Sequence, residues 1–223
     1  MEPTASGAAG GRAMLGRTAI VVVAAAAAIG VGAGVVAHLL LPTGASRPTA
    51  VPRPYLHGQA TWAAGKRPAP KFTLRNVLGG SVSLTSTRGN VTVITFLDSH
   101  CRTLCPMIGR AIGDVQRALP AAARPIVLIV SVNPAGDSPA SVRAAAHRWR
   151  IAAGWNWLSG SRRQLAAVWR AYGIEVQPTT NDITHGTAVY LVDRRGYERA
   201  GYLAPLLPNL LTLDIRRVGV ATA

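Results

Sequence analysis

The sequence predicts an α/β fold in which a largely parallel sheet is covered by helices, and three observations carry that expectation. Val91 to Leu97 and Pro125 to Val132 are nearly continuous apolar runs rich in β-branched residues, the pattern of strands buried on both faces. Stretches with helical spacing follow each of them, which argues for βαβ units. The two cysteines of the chain lie in His100-Cys101-Arg102-Thr103-Leu104-Cys105-Pro106, between the first run and the first helix-like stretch.

Taken in order, residues 1–17 form a short tail, and residues 18–41 are apolar without an acid, long enough to span a bilayer. Arg12 and Arg17 precede the run, so an uncleaved transmembrane signal anchor is favoured. A cleaved signal peptide is the alternative, with small residues at Val35-Val36-Ala37 and Thr43-Gly44-Ala45. Arg47 and Arg53 after the run balance the two arginines before it, so basic residues do not set the orientation. The cysteine pair places the following domain on the extracytoplasmic side of the cell membrane. No cysteine near the end of the run offers a lipoprotein anchor, and no twin-arginine pair precedes it. Gly30-Val31-Gly32-Ala33-Gly34 lies inside the apolar run and follows no strand, so it reads as helix packing and not as a nucleotide loop.

Residues 42–69 are rich in Pro, Ala, Gly and Arg and read as a flexible linker. The folded domain is expected over 70–218, with 219–223 as a tail. It opens with a β-hairpin, Phe72-Thr73-Leu74 and Ser81-Val82-Ser83-Leu84 about Gly79-Gly80. After the strand Val91 to Leu97, a helix is expected from about Cys105 to Leu119. The strand Pro125 to Val132 and a helix from about Ser138 to Trp149 follow, with Ser138-Pro139 as cap and first turn. Trp155 to Leu158 is a short strand, and Ser161 starts a helix that Gly173 stops. Thr187 to Asp193 and Tyr197 to Leu203 form a second hairpin about Arg194-Arg195-Gly196, and a last helix runs from about Leu206 to Val218.

The formal net charge is +15, yet the arginines are dispersed and lack the aromatic interleaving of an RNA or single-strand surface. Nucleic acid is therefore not an expected partner. Attraction to anionic lipid headgroups is the milder consequence, and an acidic partner face would complement the charge.

Cys101 and Cys105 stand four apart. On one helix they would share a face, able to converge on a metal ion or to close a disulfide. A strand ending in a cysteine pair at a helix N-terminus is also how thioredoxin-like folds present sulfur, because free N–H groups and the helix dipole favour thiolate. A merely stabilising disulfide would close a very short loop, worth roughly 2 kcal/mol. A peroxidatic site is disfavoured, since Asp98 and Arg102 stand where a Thr-x-x-Cys pattern would need threonine. His185, just before the strand Thr187 to Asp193, occupies the loop that faces the cysteine helix in a thioredoxin-like fold. His100 is not counted as a ligand, and His57 and His147 are assigned to solvated surface. Trp149, Trp155, Trp157 and Trp169 are assigned to the core or its edge.

Three blocks together, Cys101-x-x-x-Cys105-Pro106 after a strand, Ser131-Val132-Asn133-Pro134-Ala135-Gly136-Asp137-Ser138-Pro139, and His185 to Asp193, resemble the Sco/SenC family of membrane-anchored, thioredoxin-like copper chaperones. The resemblance covers roughly Pro70 to Val218. It implies a thioredoxin-like fold with an N-terminal β-hairpin, Cu(I) or Cu(II) held by Cys101, Cys105 and His185, and delivery to the binuclear copper site of a respiratory oxidase. The implied partners are the copper-accepting oxidase subunit and a copper donor or thiol reductant. The enzymatic alternative is a thiol-disulfide oxidoreductase acting through Cys101 and Cys105 as a redox pair. The chain departs from the family pattern at Arg102, Thr103 and Leu104 between the cysteines, at Asn133 where Asp is usual, and at Gly186 after His185.

Overall fold

The computed structural model describes residues 55–178 and 183–220. An eight-stranded mixed sheet forms the centre, in the order β1-β10-β9-β4-β5-β6-β2-β3. The strands are β1 (Ala60–Thr61), β2 (Thr73–Asn76), β3 (Ser81–Ser83), β4 (Thr92–Leu97), β5 (Ile126–Ser131), β6 (Trp155–Ser159), β9 (Ala188–Val192) and β10 (Glu198–Leu203). A separate ribbon pairs β7 (Val176–Pro178) with β8 (Ile183–His185). The helices are α1 (Leu104–Ala118), α2 (Pro139–Arg148), α3 (Arg162–Ala171) and α4 (Pro208–Val220).

The continuous apolar runs become β4 and β5, paired in parallel from Thr92↔Ile126 to Leu97↔Ser131. Each residue of β4 is buried, because both sheet faces are covered. Val93 and Leu97 pack on one side with Ile108 and Ile112 of α1, Val142 of α2 and Leu211 of α4. Ile94 and Phe96 pack on the other with Leu165 and Trp169 of α3. This alternation follows from the two-residue period of a strand.

Helix starts follow the sequence closely. Ser138 caps α2 and Ser161 caps α3, each through a reciprocal bond with the residue three further on, Ser141 and Gln164. The Gly79-Gly80 turn takes positive φ at both residues, closing the β2–β3 hairpin with Leu74 opposite Val82. Trp149 and Trp157 are core residues, their rings 5.9 Å apart.

Residues 55–69 differ from the flexible linker expected of them. Leu56 and Ala69 are buried, β1 pairs with β10 at Ala60↔Gly201, and Glu198 N–H donates to the Arg67 carbonyl at 2.8 Å. His57, expected on solvated surface, is tied to the fully buried Asp214 of α4. Its backbone N–H donates to Oδ2 at 2.7 Å and its Nδ1 lies 2.8 Å from Oδ1. Tyr202 O–H donates to the same carboxylate at 2.6 Å. These attachments are made by backbone and by single polar side chains, so they leave no hydrophobic period to read.

Among the described residues no helix is long and apolar enough to cross a membrane. The apolar run 18–41, the tail 1–17 and the first part of the linker lie outside the described residues.

Candidate metal centre

The site is built where β4 ends. Asp98 through Thr103 form the loop between β4 and α1, and Cys105 lies in the first turn of α1. Cys101 therefore precedes the helix. α1 begins at Leu104, close to the start expected at about Cys105, so the two cysteines do not lie on one helix face. A turn closed by Cys101 N–H to the Asp98 carbonyl at 3.2 Å brings the first sulfur back toward the second. Cys101 is half-buried and Cys105 fully buried, and both are free thiols.

The two sulfurs are electrostatically coupled. The Cys105 thiol donates toward Cys101 and holds that sulfur as thiolate, with further help from the backbone N–H groups of Thr103 and Cys105, so its pKa is pushed down to about 5 against the opposing effect of burial. Cys105 moves the opposite way, because its proton is held by Cys101 and its charge would be buried. One proton thus leaves the pair easily and the second is retained.

His185 ends β8 and is set by the ribbon. It pairs with Val176 of β7, and Gly186 N–H donates to the Glu175 carbonyl at 2.9 Å. The imidazole lies with Nδ1 2.9 Å from the Gly186 carbonyl and Nε2 3.6 Å from Cys105 Sγ. A carbonyl only accepts, so Nδ1 donates to it, and Nε2 is the ring nitrogen turned to the sulfur. A backbone carbonyl behind the ring is the usual arrangement for a metal-ligating histidine. Gly186, one of the departures noted in the sequence, supplies this acceptor through its backbone.

The structure thus brings Cys105 and His185 together and places Cys101 against Cys105, its sulfur 3.7 Å from Thr103 Oγ1. Two sulfurs and one imidazole nitrogen are a soft donor set, suited to Cu(I) and tolerant of a borderline ion such as Cu(II).

The loop that carries Cys101 is held from below by Asp137. This buried carboxylate accepts Ser99 N–H at 3.0 Å, Ser131 O–H at 2.6 Å and Trp157 Nε1–H at 2.8 Å. Burial raises its pKa and these donors work against the rise. Asn133 Nδ2–H donates to Asp98 Oδ1 at 3.2 Å, and Asn133 Oδ1 accepts Gly136 N–H at 3.1 Å. An aspartate at position 133 could accept but not donate, so asparagine here matches a carboxylate at 98. A Cβ on Gly136 would stand 2.5 Å from Asn133 Nδ2, which reserves that position for glycine.

Sequence reasoning missed this cluster. Asp98, His100 and Asp137 hold candidate ligand atoms within 4.8 Å of one another, yet both carboxylates already accept protein N–H and O–H groups. The Asp137-Ser138-Pro139 pattern pointed only to a helix cap. The extra role of Asp137 depends on donors from three separate elements.

A dithiol loop opening a helix, with a histidine brought up from a neighbouring strand, on a sheet flanked by helices, defines a thioredoxin-like protein with a dithiol and an imidazole at one site. The SCO1/SenC family model matches residues 62–209, and the chain belongs to that family. A SCO1 protein homolog of Bacillus subtilis is 30% identical over 131 residues, 56% of this chain and 68% of the relative. The structure of Bradyrhizobium japonicum ScoI with copper bound is similar at TM-score 0.59 and 27% identity, covering 67% of this chain and 98% of that one. BsSco, described as a member of the Sco family of cytochrome c oxidase assembly proteins and as containing a disulfide switch, matches at TM-score 0.61 and 22% identity, over 73% of this chain and 99% of its own.

Alkylation of Cys101 by iodoacetamide is predicted to hold a plateau from alkaline pH down to about pH 6 and to fall as pH drops through about 5. Cys105→Ala removes the largest cause of the shift, so the inflection moves up toward the ordinary cysteine range near about 8.5. An inflection in that range for the unmodified chain contradicts the coupling. Asp137→Ala leaves three buried donors unpaired and is expected to cost roughly 3 kcal/mol in urea unfolding. A loss within about 0.5 kcal/mol would show that Asp137 does not hold the loop.

Proposed function

We propose that this chain binds copper through Cys101, Cys105 and His185 and passes it by ligand exchange to the binuclear copper site of a respiratory oxidase. The observation that carries the reading is the pairing of Cys105 Sγ with Nε2 of His185 at 3.6 Å, behind which Nδ1 is committed to a carbonyl. Copper bound in the similar ScoI supports the choice of ion, and the description of BsSco as an oxidase assembly protein supports the destination.

A three-donor site suits a cargo ion. The first thiolate is formed near neutral pH without a strong base. The second thiol must give up its proton as the ion enters, so loading and proton release are linked. An acceptor that offers its own sulfurs can replace these donors one at a time, which needs no turnover chemistry.

In this reading residues 18–41 anchor the domain in the cell membrane by a single span, 1–17 lie on the cytoplasmic side, and the domain over 70–218 works on the extracytoplasmic side. Copper donor, oxidase subunit and a thiol reductant are its partners. The low pKa and half-exposure of Cys101 also favour a second activity, reduction of a partner's cysteines through the Cys101–Cys105 pair, which does not require His185.

Titration of the reduced full-length chain with Cu(I) against a chromogenic chelator is expected to show one tight equivalent. Cys101→Ala, Cys105→Ala and His185→Ala should each weaken it by at least about tenfold, or ~1.4 kcal/mol. Retention of the parent affinity in all three variants overturns the site.

A further inference from the structure

We propose that Cys101 opens onto an anion-recognising cleft that receives a carboxylate-bearing disulfide of small-peptide size. The inference rests on the dithiol reading of Cys101 and Cys105 and is independent of copper. A cleft of about 440 Å³ lies beside Cys101, within the size range of small-ligand sites. Arg102, Arg110 and Arg148 line it together with Ser99, His100 and Ser141, and no carboxylate does.

Arg102 and Arg110 are exposed and have no hydrogen-bond or ion-pair partner among the described residues. Arg148 gives one nitrogen to the Ser99 carbonyl at 3.1 Å, which fixes its guanidinium at the wall of the cleft. The neighbouring acids Asp98 and Asp137 are buried and face inward, each already accepting protein donors. Positive charge is therefore gathered around one accessible sulfur and left without a counter-charge. Guanidinium groups recognise carboxylates through paired N–H bonds, and a cleft lined by one sign of charge raises the local concentration of the opposite sign.

The reaction such a cleft serves is thiol-disulfide exchange. Cys101 thiolate attacks one sulfur of R–S–S–R, a Cys101–S–S–R bond forms, and R–S⁻ departs. Cys105 sulfur then attacks Cys101 Sγ, closing the Cys101–Cys105 disulfide and expelling the second R–S⁻. The cysteine pair is oxidised by two electrons and the substrate disulfide reduced to two thiols. The one proton of the pair, on Cys105, passes to a released thiolate, and the other thiolate leaves as such or is protonated by solvent.

The test compares two disulfides on the reduced full-length chain at one pH: dianionic 3,3′-dithiodipropionate and neutral bis(2-hydroxyethyl) disulfide. Each rate is divided by that disulfide's rate with free 2-mercaptoethanol. The normalised ratio of anionic to neutral is expected on the order of tenfold at low ionic strength. It should fall toward unity in high salt and in the double variant R102Q/R110Q. A change in the intrinsic reactivity of the sulfur moves both rates alike, so the ratio reports recognition alone. A ratio near unity in the parent chain, or one that persists in R102Q/R110Q, overturns the proposal. Cu(I) titration of the same samples separates the two readings, since loss of copper binding with the ratio intact leaves the cleft standing.

Discussion

The Asp137 carboxylate is the constraint on which the site depends. A buried charge is stable only when its lone pairs are satisfied, and here the donors come from three places: Ser99 in the cysteine loop, Ser131 at the end of β5 and Trp157 in β6. Satisfying one carboxylate therefore fixes the loop before Cys101 against two central strands. Asp98 repeats the device one step nearer the sulfurs, accepting His100 N–H and Asn133 Nδ2–H. The Cys101 turn closes on its carbonyl.

With the loop held, the rest of the site divides between rigidity and access. Cys105 is fixed in the first turn of α1 and buried, whereas Cys101 sits before the helix and stays half-exposed. The shared proton sets the two sulfurs apart chemically, one as thiolate and one as thiol. His185 arrives from outside the main sheet, on a two-stranded ribbon. In the proposed function, a ligand carried on so small an element could follow an ion in or out while the sulfurs remain on the core.

Much of this was legible in the sequence, and the exceptions share a cause. β4, β5 and the capped helices α2 and α3 were readable because burial on both faces and N-cap chemistry leave local patterns. Cys101, Cys105 and His185 were readable as chemistry, and the family membership agrees with the three blocks that carried the resemblance. The docking of residues 55–69 was not readable, since a two-residue strand and isolated polar contacts to Asp214 and Glu198 carry no periodicity. The ribbon was missed for the same reason, its strands being three residues long. The helix expected from about Cys105 begins at Leu104, so Cys101 lies before it, and the four-residue spacing alone did not show that the two cysteines meet through a loop rather than along one helix face. Asn133 looked like the loss of a carboxylate. Only its neighbour Asp98, distant in sequence, shows why a donor belongs there.

The central claim is that one ion is held by two sulfurs and one imidazole. X-ray absorption at the copper edge of the full-length chain loaded with one equivalent of Cu(I) tests it most directly, run beside His185→Ala. The account predicts two sulfur neighbours and one imidazole nitrogen, with the imidazole signature absent from the variant. A first shell without two sulfurs, or an imidazole signature that survives in His185→Ala, would contradict it.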